Sequence, residues 1–170
     1  MEVNMSFFVI GLLEFDKDVG YGNLNNKTRE LACLALDHSY SLQLGYFHNE
    51  YYREFLTKAT NKYNISNQKS LEFELADSPY SGSFDEGIYK LQKQLQGDGN
   101  NIYTTSLYQF FSELWNKDNI KVAVMIFSYG LYDYNLLKHK TATLNQMFED
   151  MSKYYLKGTE DQNSCYFLKK

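Results

Sequence analysis

The chain has 170 residues, of which 44% are hydrophobic and 22% charged, and its formal net charge is −4. This length and composition are typical of one globular domain spanning residues 1–170, and they exclude an intrinsically disordered chain. The negative charge argues against a general electrostatic attraction to nucleic acid or to an anionic membrane, and it favours a basic partner.

The first predicted element is a strand over residues 6–15. The apolar run from Phe7 to Leu13 is typical of a strand that is buried on both faces. The run is too short to span a bilayer, and Glu2 precedes it where a signal peptide carries positive charge. We therefore expect a cytoplasmic protein.

Two helices and a strand are predicted next. Apolar residues at helical spacing predict a helix from Lys27 to about Tyr40, capped near Asn26. A second helix follows Asn49 with an apolar face made of Tyr52, Phe55, Leu56, Ala59 and Tyr63. Residues 70–75 alternate between apolar and polar side chains, which is the pattern of a half-exposed strand.

The second half of the chain predicts three more helices and two more strands. Capping boxes of Ser83 with Glu86 and of Thr143 with Gln146 mark two helix starts. Between these helices we predict a helix over residues 104–116 and a strand over residues 120–128, and a short strand at residues 165–168 closes the chain. Helix 104–116 is expected to pack on the sheet through Phe110, Leu114 and Trp115.

Together these elements predict an α+β or α/β fold, with one mixed sheet of about four strands and about five helices packed on it. Strands 6–15 and 120–128 are continuous apolar runs, so we expect them near the centre of the sheet.

The cysteines and histidines show no metal-ligand spacing, so neither a metal site nor a cofactor is predicted. Cys33 falls in the apolar pattern of a helix and Cys165 in the terminal strand, which indicates buried, inert thiols. A nucleophilic pair of Cys33 with His38 or His139 is an alternative, because catalytic partners are neighbours in space.

Asp16 and Asp18 follow the first strand as Asp-x-Asp, which resembles the first motif of haloacid-dehalogenase-type phosphohydrolases. The resemblance implies that Asp16 is the nucleophile and Asp18 the acid/base, with magnesium held between them. It also implies that Ser128 binds phosphate and that Lys138 or Lys140 is the lysine of the family. The chain after Ser128 offers no further strand that ends in acidic magnesium ligands, so this function is the alternative.

Two segments combine acidic and aromatic residues, the first at residues 71–89 and the second at residues 129–134. Residues 71–89 contain no lysine or arginine, and their acidic residues are Glu72, Glu74, Asp77, Asp85 and Glu86. Tyrosine is favoured in binding surfaces because it offers a large rigid contact area with a polar tip. Packing of the tyrosines on the core, or a coding bias toward tyrosine and asparagine, are the structural alternatives.

A small acidic chain that is rich in tyrosine and lacks catalytic motifs resembles the immunity proteins of bacterial polymorphic toxins, such as those of contact-dependent growth inhibition. The resemblance implies a protein that binds a cognate, basic toxin, for example a nuclease, and blocks its active surface without chemistry. The residues expected to bind this partner are Glu72, Glu74, Asp77, Tyr80, Asp85, Glu86, Tyr89, Tyr129, Tyr132, Asp133 and Tyr134.

Overall fold

The computed structural model describes residues 6–17, 21–45, 50–80, 82–130, 133–154 and 163–170. Five α-helices lie in these ranges: α1 Tyr21–Asp37, α2 Glu50–Lys62, α3 Asp85–Leu95, α4 Ser106–Trp115 and α5 Leu144–Tyr154. Six strands accompany them: β1 Phe7–Phe15, β2 Ser41–Leu44, β3 Ser70–Ala76, β4 Ile120–Tyr129, β5 Lys138–Thr141 and β6 Ser164–Lys169.

All six strands join one mixed sheet in the order β2-β3-β1-β4-β6-β5. Each neighbouring pair is antiparallel except β5 with β6, which run parallel. The prediction that the two apolar strands lie at the centre is confirmed, because β1 and β4 occupy the two inner positions. The α+β class is confirmed as well, while the sheet has six strands and not about four.

Helices cover both faces of the sheet, which explains why β1 and β4 are predominantly apolar. On one face, helices α1, α3, α4 and α5 enclose the larger core cluster. Phe110 and Leu114 of α4 are buried there and Trp115 is partly buried against the same cluster, as predicted. On the other face, α2 and the 3₁₀ turn Tyr134–Leu136 enclose a second cluster.

Strands β2 and β5 were not predicted, because each has only four residues and lies at an edge of the sheet. A strand this short shows too few alternations to stand out, and the sequence of β5, Lys-His-Lys-Thr, is polar throughout. Helix α1 begins at Tyr21 and not near Asn26, so the predicted cap was wrong.

The two predicted capping boxes had different outcomes. Thr143 and Gln146 form theirs, since the side chain of each accepts the backbone N–H of the other at 2.9 and 3.1 Å. The box of Ser83 with Glu86 was wrong: α3 starts after Phe84, and the carboxylate of Asp77 accepts the N–H groups of its first turn. A cap supplied from eight or more residues upstream leaves no local sequence signature.

The two thiols differ in exposure. Cys165 is buried, as predicted, and burial raises the pKa of its thiol to about 12, so the thiol stays protonated and inert at neutral pH. The prediction was wrong for Cys33, which is exposed on the outer side of α1. The apolar stripe of a helix is several residues wide, so the sequence pattern does not define which residue at its border is buried.

Candidate interaction surface

The loop of residues 77–84 connects β3 to α3, and three different elements hold it. The Tyr52 hydroxyl of α2 donates to the carbonyl of Gly82 at 2.9 Å, and the Gln43 amide of β2 donates to the carbonyl of Pro79 at 2.7 Å. The Phe84 N–H donates to the carbonyl of Phe7 in β1 at 2.8 Å. Sequence reasoning missed Gln43 and Tyr52, whose roles depend on contacts between segments distant in the chain.

Asp77 and Asp85 hold this loop against the start of α3. The two carboxylate oxygens of Asp77 accept the N–H groups of Glu86 and Gly87 at 3.0 and 2.8 Å. Partial burial raises the pKa of Asp77, and these two hydrogen bonds oppose the rise. Asp85 accepts the Phe7 N–H at 2.9 Å. Both carboxylates therefore have structural partners, and they place negative charge where the helix dipole favours it.

The sequence predicted that the two acidic residues of β3 present their charge to solvent. The structure shows that they do not. Glu72 is half-buried and paired with Arg53 of α2. Glu74 is only 6% exposed, and burial raises its pKa. The prediction of a half-exposed strand was wrong because α2 covers the face that carries both residues.

Three of the predicted partner-binding residues in this region are exposed on the loop and on α3 without a structural role comparable to that of Asp77. Tyr80 is 98% exposed and Tyr89 is 57% exposed, with the Lys93 ammonium 4.9 Å from the centre of the Tyr89 ring. Glu86 is exposed in the first turn of α3. We call Tyr80, Asp85, Glu86 and Tyr89 the loop–helix surface; a shallow concavity beside it is lined by Asp77, Ser78, Ser83, Asp85 and Glu86.

In the second predicted segment, residues 129–134, Tyr134 belongs to the core. Tyr134 is only 6% exposed and its ring meets Phe55 edge-on at 5.7 Å, so it is unable to contact a partner in this structure. Asp133 is exposed and its side chain accepts the Asn135 N–H at the start of the 3₁₀ turn. Tyr132 lies outside the described residues. The wrong assignment of Tyr134 arose because a buried tyrosine and an interface tyrosine share one sequence pattern.

Tyr129 connects the two segments through β1. Its half-buried ring lies 4.5 Å from the ring of Phe7, centre to centre. The backbone of Phe7 is bonded on its N–H side to Asp85 and on its carbonyl side to the Phe84 N–H. The structure therefore brings Tyr129 to the same end of the sheet as the start of α3.

The residues of the phosphohydrolase alternative do not come together. Asp16 follows the end of β1, next to the start of β4, whereas Ser128 pairs with Phe8 near the start of β1. Seven residue steps of about 3.3 Å separate Phe8 from Phe15, so roughly 23 Å lie between the two ends. In that family's motif both groups bind one phosphate, which requires parallel strands, and β1 and β4 are antiparallel. Asp18 lies outside the described residues.

We expect the purified protein to show no turnover of a generic phosphate ester in the presence of magnesium, and Asp16→Asn to leave that baseline unchanged. The reason is the distance between Asp16 and Ser128 along the antiparallel pair β1 and β4. A colorimetric assay with p-nitrophenyl phosphate measures this. Turnover that Asp16→Asn abolishes would contradict the topological argument.

The cysteine–histidine alternative finds no support in the described contacts. His38 pairs with Glu113 at 3.3 Å, and the Nδ1 of His139 is bonded to the Tyr63 hydroxyl at 2.8 Å. In the described ranges, no three histidine, cysteine or acidic side chains are grouped so that they would hold a metal ion. None of the helices in those ranges is long and apolar enough to cross a membrane.

Comparisons with known proteins do not assign this chain to a class. A scan against protein-family models and searches of the curated proteins and of the solved structures found no significant match. The loop–helix surface is therefore the feature of the molecule that bears on function.

Proposed function

We propose that this protein binds a basic protein partner through the loop–helix surface and blocks it by covering its active surface, as an immunity or antitoxin protein does. The observation that supports this most is Tyr80, which is 98% exposed on a loop tied to α2, β1 and β2. An apolar ring in water is unfavourable, and a rigid loop presents it to a partner at little entropic cost.

Charge determines the kind of partner that fits. Asp85 and Glu86 are exposed beside Tyr89, and the segment 71–89 has no lysine or arginine. Complementary charge mainly raises the association rate and makes it depend on salt. A partner with a basic patch, such as the cleft of a nuclease toxin, is therefore attracted to this surface.

The experiment uses the product of the gene adjacent to the one that encodes this chain, expressed as a candidate toxin. We expect the present chain to restore growth to cells that make this product, and the two purified proteins to form a stable complex. If the product is harmless and forms no complex with this chain, the proposal fails for that partner and for the immunity role.

Tyr80→Ala is expected to speed dissociation of the complex about 30-fold, which corresponds to about 2 kcal/mol for a central aromatic anchor. Tyr51→Ala is the matched control, because Tyr51 is 45% exposed on α2, over the other face of the sheet. Biosensor kinetics measure both variants. Equal dissociation rates for the two would rule out the loop–helix surface as the binding site.

Glu86→Gln is expected to slow association about two- to fivefold at low salt and to have little effect at high salt, because exposed charges act mainly through long-range attraction. Glu54→Gln on α2 changes the net charge equally and is the control. Glu74 and Asp77 are unsuitable for such charge changes, since reversing their charge would disturb the buried face of β3 and the cap of α3.

A further inference from the structure

The edge strand β5 pairs with only one other strand, β6. The ring of His139 provides a further attachment to the rest of the molecule. The Lys138 N–H donates to the carbonyl of Asn163 at 2.9 Å, and the Ala142 N–H donates to that of Phe167 at 3.0 Å. Because β5 has four residues and a single neighbour, its side-chain contacts contribute much of what keeps it docked.

The His139 ring joins β5 to three other parts of the molecule. Its Nδ1 lies 2.8 Å from the Tyr63 hydroxyl, just beyond the end of α2. Its ring meets Tyr134 of the 3₁₀ turn edge-on at 5.1 Å. His139 is in register with Cys165 of β6, and Tyr63 stacks on Phe167 of the same strand at 4.6 Å. These contacts make the imidazole the common point of α2, the 3₁₀ turn and β6.

Among the described residues, the charged group that acts on the His139 ring is a cation. Lys62 at the end of α2 acts on His139 electrostatically, and Lys58 lies 5.8 Å from the centre of the Tyr134 ring, with Glu54 as its ion-pair partner. The other titratable groups at the ring are the phenols of Tyr63 and Tyr134 and the thiol of Cys165. They are neutral at physiological pH, and burial raises their pKa still further above it.

The neighbours of His139 in β5 do not add charge on the side of the sheet where its ring lies. Side chains alternate along a strand, so Lys138 and Lys140 point to the opposite face, where Lys140 pairs with Asp150 at 2.5 Å. Among the described residues, no carboxylate forms an ion pair with His139.

We propose that His139 is an acid-sensitive latch, whose protonation releases β5 and the preceding 3₁₀ turn from α2 and β6. A charged imidazole here would be half-buried near Lys62 with no anionic partner among the described residues, whereas in the released state it would be in water. The inference does not depend on the proposed partner, although release would also loosen the segment that carries Asp133.

The direction of the pH effect follows from linkage. Burial, with a smaller contribution from Lys62, lowers the pKa of His139 below its usual value of about 6.5. The released state therefore binds a proton more readily than the latched state. The stability that the latch contributes is complete above about pH 6.5 and is lost as the pH falls through the lower pKa of the latched state.

The test is amide hydrogen exchange at pH 7.5 and pH 5.5, corrected for intrinsic rates and read at Lys138 and Ala142. We expect faster corrected exchange at the lower pH, by at most about tenfold for each unit between the two pKa values of His139. His139→Gln should remove this pH dependence. His38→Gln should retain it, because His38 pairs with Glu113 of α4, on the opposite face of the sheet from the His139 ring.

Two results would overturn the proposal: an NMR titration that places the pKa of His139 at or above 6.5, or an acid response that persists in His139→Gln. If β5 is already released at both pH values in the His139→Gln variant, the Lys62→Gln variant tests the proposal instead. Removing this charge makes protonation of the latched state less costly, so the acid response should become smaller. An unchanged response in that variant would contradict the latch.

Discussion

Replacing Gly11 by alanine is expected to lower the free energy of unfolding by about 3 kcal/mol, the upper part of the range for overpacking a core. Gly11 lies at the middle of β1, in register with Phe73 of β3 and Met125 of β4. A β-carbon at this position would meet the Phe73 ring at 2.6 Å and would lie closer still to the carbonyl oxygen of Val124. A ring can rotate away, but the carbonyl is fixed by the central ladder of the sheet.

Urea denaturation measures this change, and Gly82→Ala is the matched control. An added β-carbon at Gly82 meets no atom within 4 Å, so we expect a change within about 1 kcal/mol. Phe73→Leu should not rescue Gly11→Ala, because the clash with the Val124 carbonyl remains. Full rescue would show that only the ring restricts this position, and a Gly11→Ala change as small as that of Gly82→Ala would contradict the argument.

The centre of the fold was predictable because β1 and β4 are covered on both faces. A strand in that position has apolar side chains at nearly every residue, and such a run is visible without knowledge of its neighbours. The amphipathic helix α4 was predictable for a related reason, since Leu107, Phe110, Phe111 and Leu114 follow the helical period and are all buried.

The edges of the fold were not predictable in the same way. β5 consists of polar residues, and it is a strand because β6 supplies hydrogen-bond partners from a segment 23 or more residues later in the chain. Strand β3 shows the opposite problem. Its alternation indicates a half-exposed strand, but Glu74 lies under α2. A sequence pattern does not report whether a second layer covers a face.

The candidate site likewise contains residues whose exposure was predicted from the sequence and residues whose burial was not. Tyr80, Glu86 and Tyr89 are exposed as a partner-binding role requires, while Glu74 and Tyr134 are buried. The acidic and aromatic composition of residues 71–89 is visible in the sequence without tertiary information, while the role of this segment in binding a partner stays a prediction. The difference between a side chain that caps a helix and one that faces solvent depends on contacts such as that of Asp77 with Gly87.

Replacing Phe84 by alanine is expected to lower the free energy of unfolding by about 3–5 kcal/mol, as for other buried phenylalanines. The Phe84 ring is fully buried, lies 5.7 Å from the ring of Tyr40 and packs directly on Gly87. Its backbone N–H is bonded to Phe7 of β1. Phe84 thus anchors the end of the loop that presents Tyr80, and its loss removes both core packing and support for the loop–helix surface.

Phe148→Ala in α5 separates these two effects. Phe148 is also fully buried in the same core cluster, so Phe148→Ala should lower the free energy of unfolding by a similar amount. Its ring packs on Phe111 and Tyr108 of α4. Calorimetry or urea denaturation gives the stabilities, and biosensor kinetics with the proposed partner, corrected for the folded fraction, give the affinities. We expect Phe84→Ala to weaken binding beyond its unfolded fraction, because a mobile loop must be ordered when the complex forms. Phe148→Ala should weaken binding only through unfolding. Equal corrected affinities would mean that the order of the loop does not contribute to recognition, even if Tyr80 itself does.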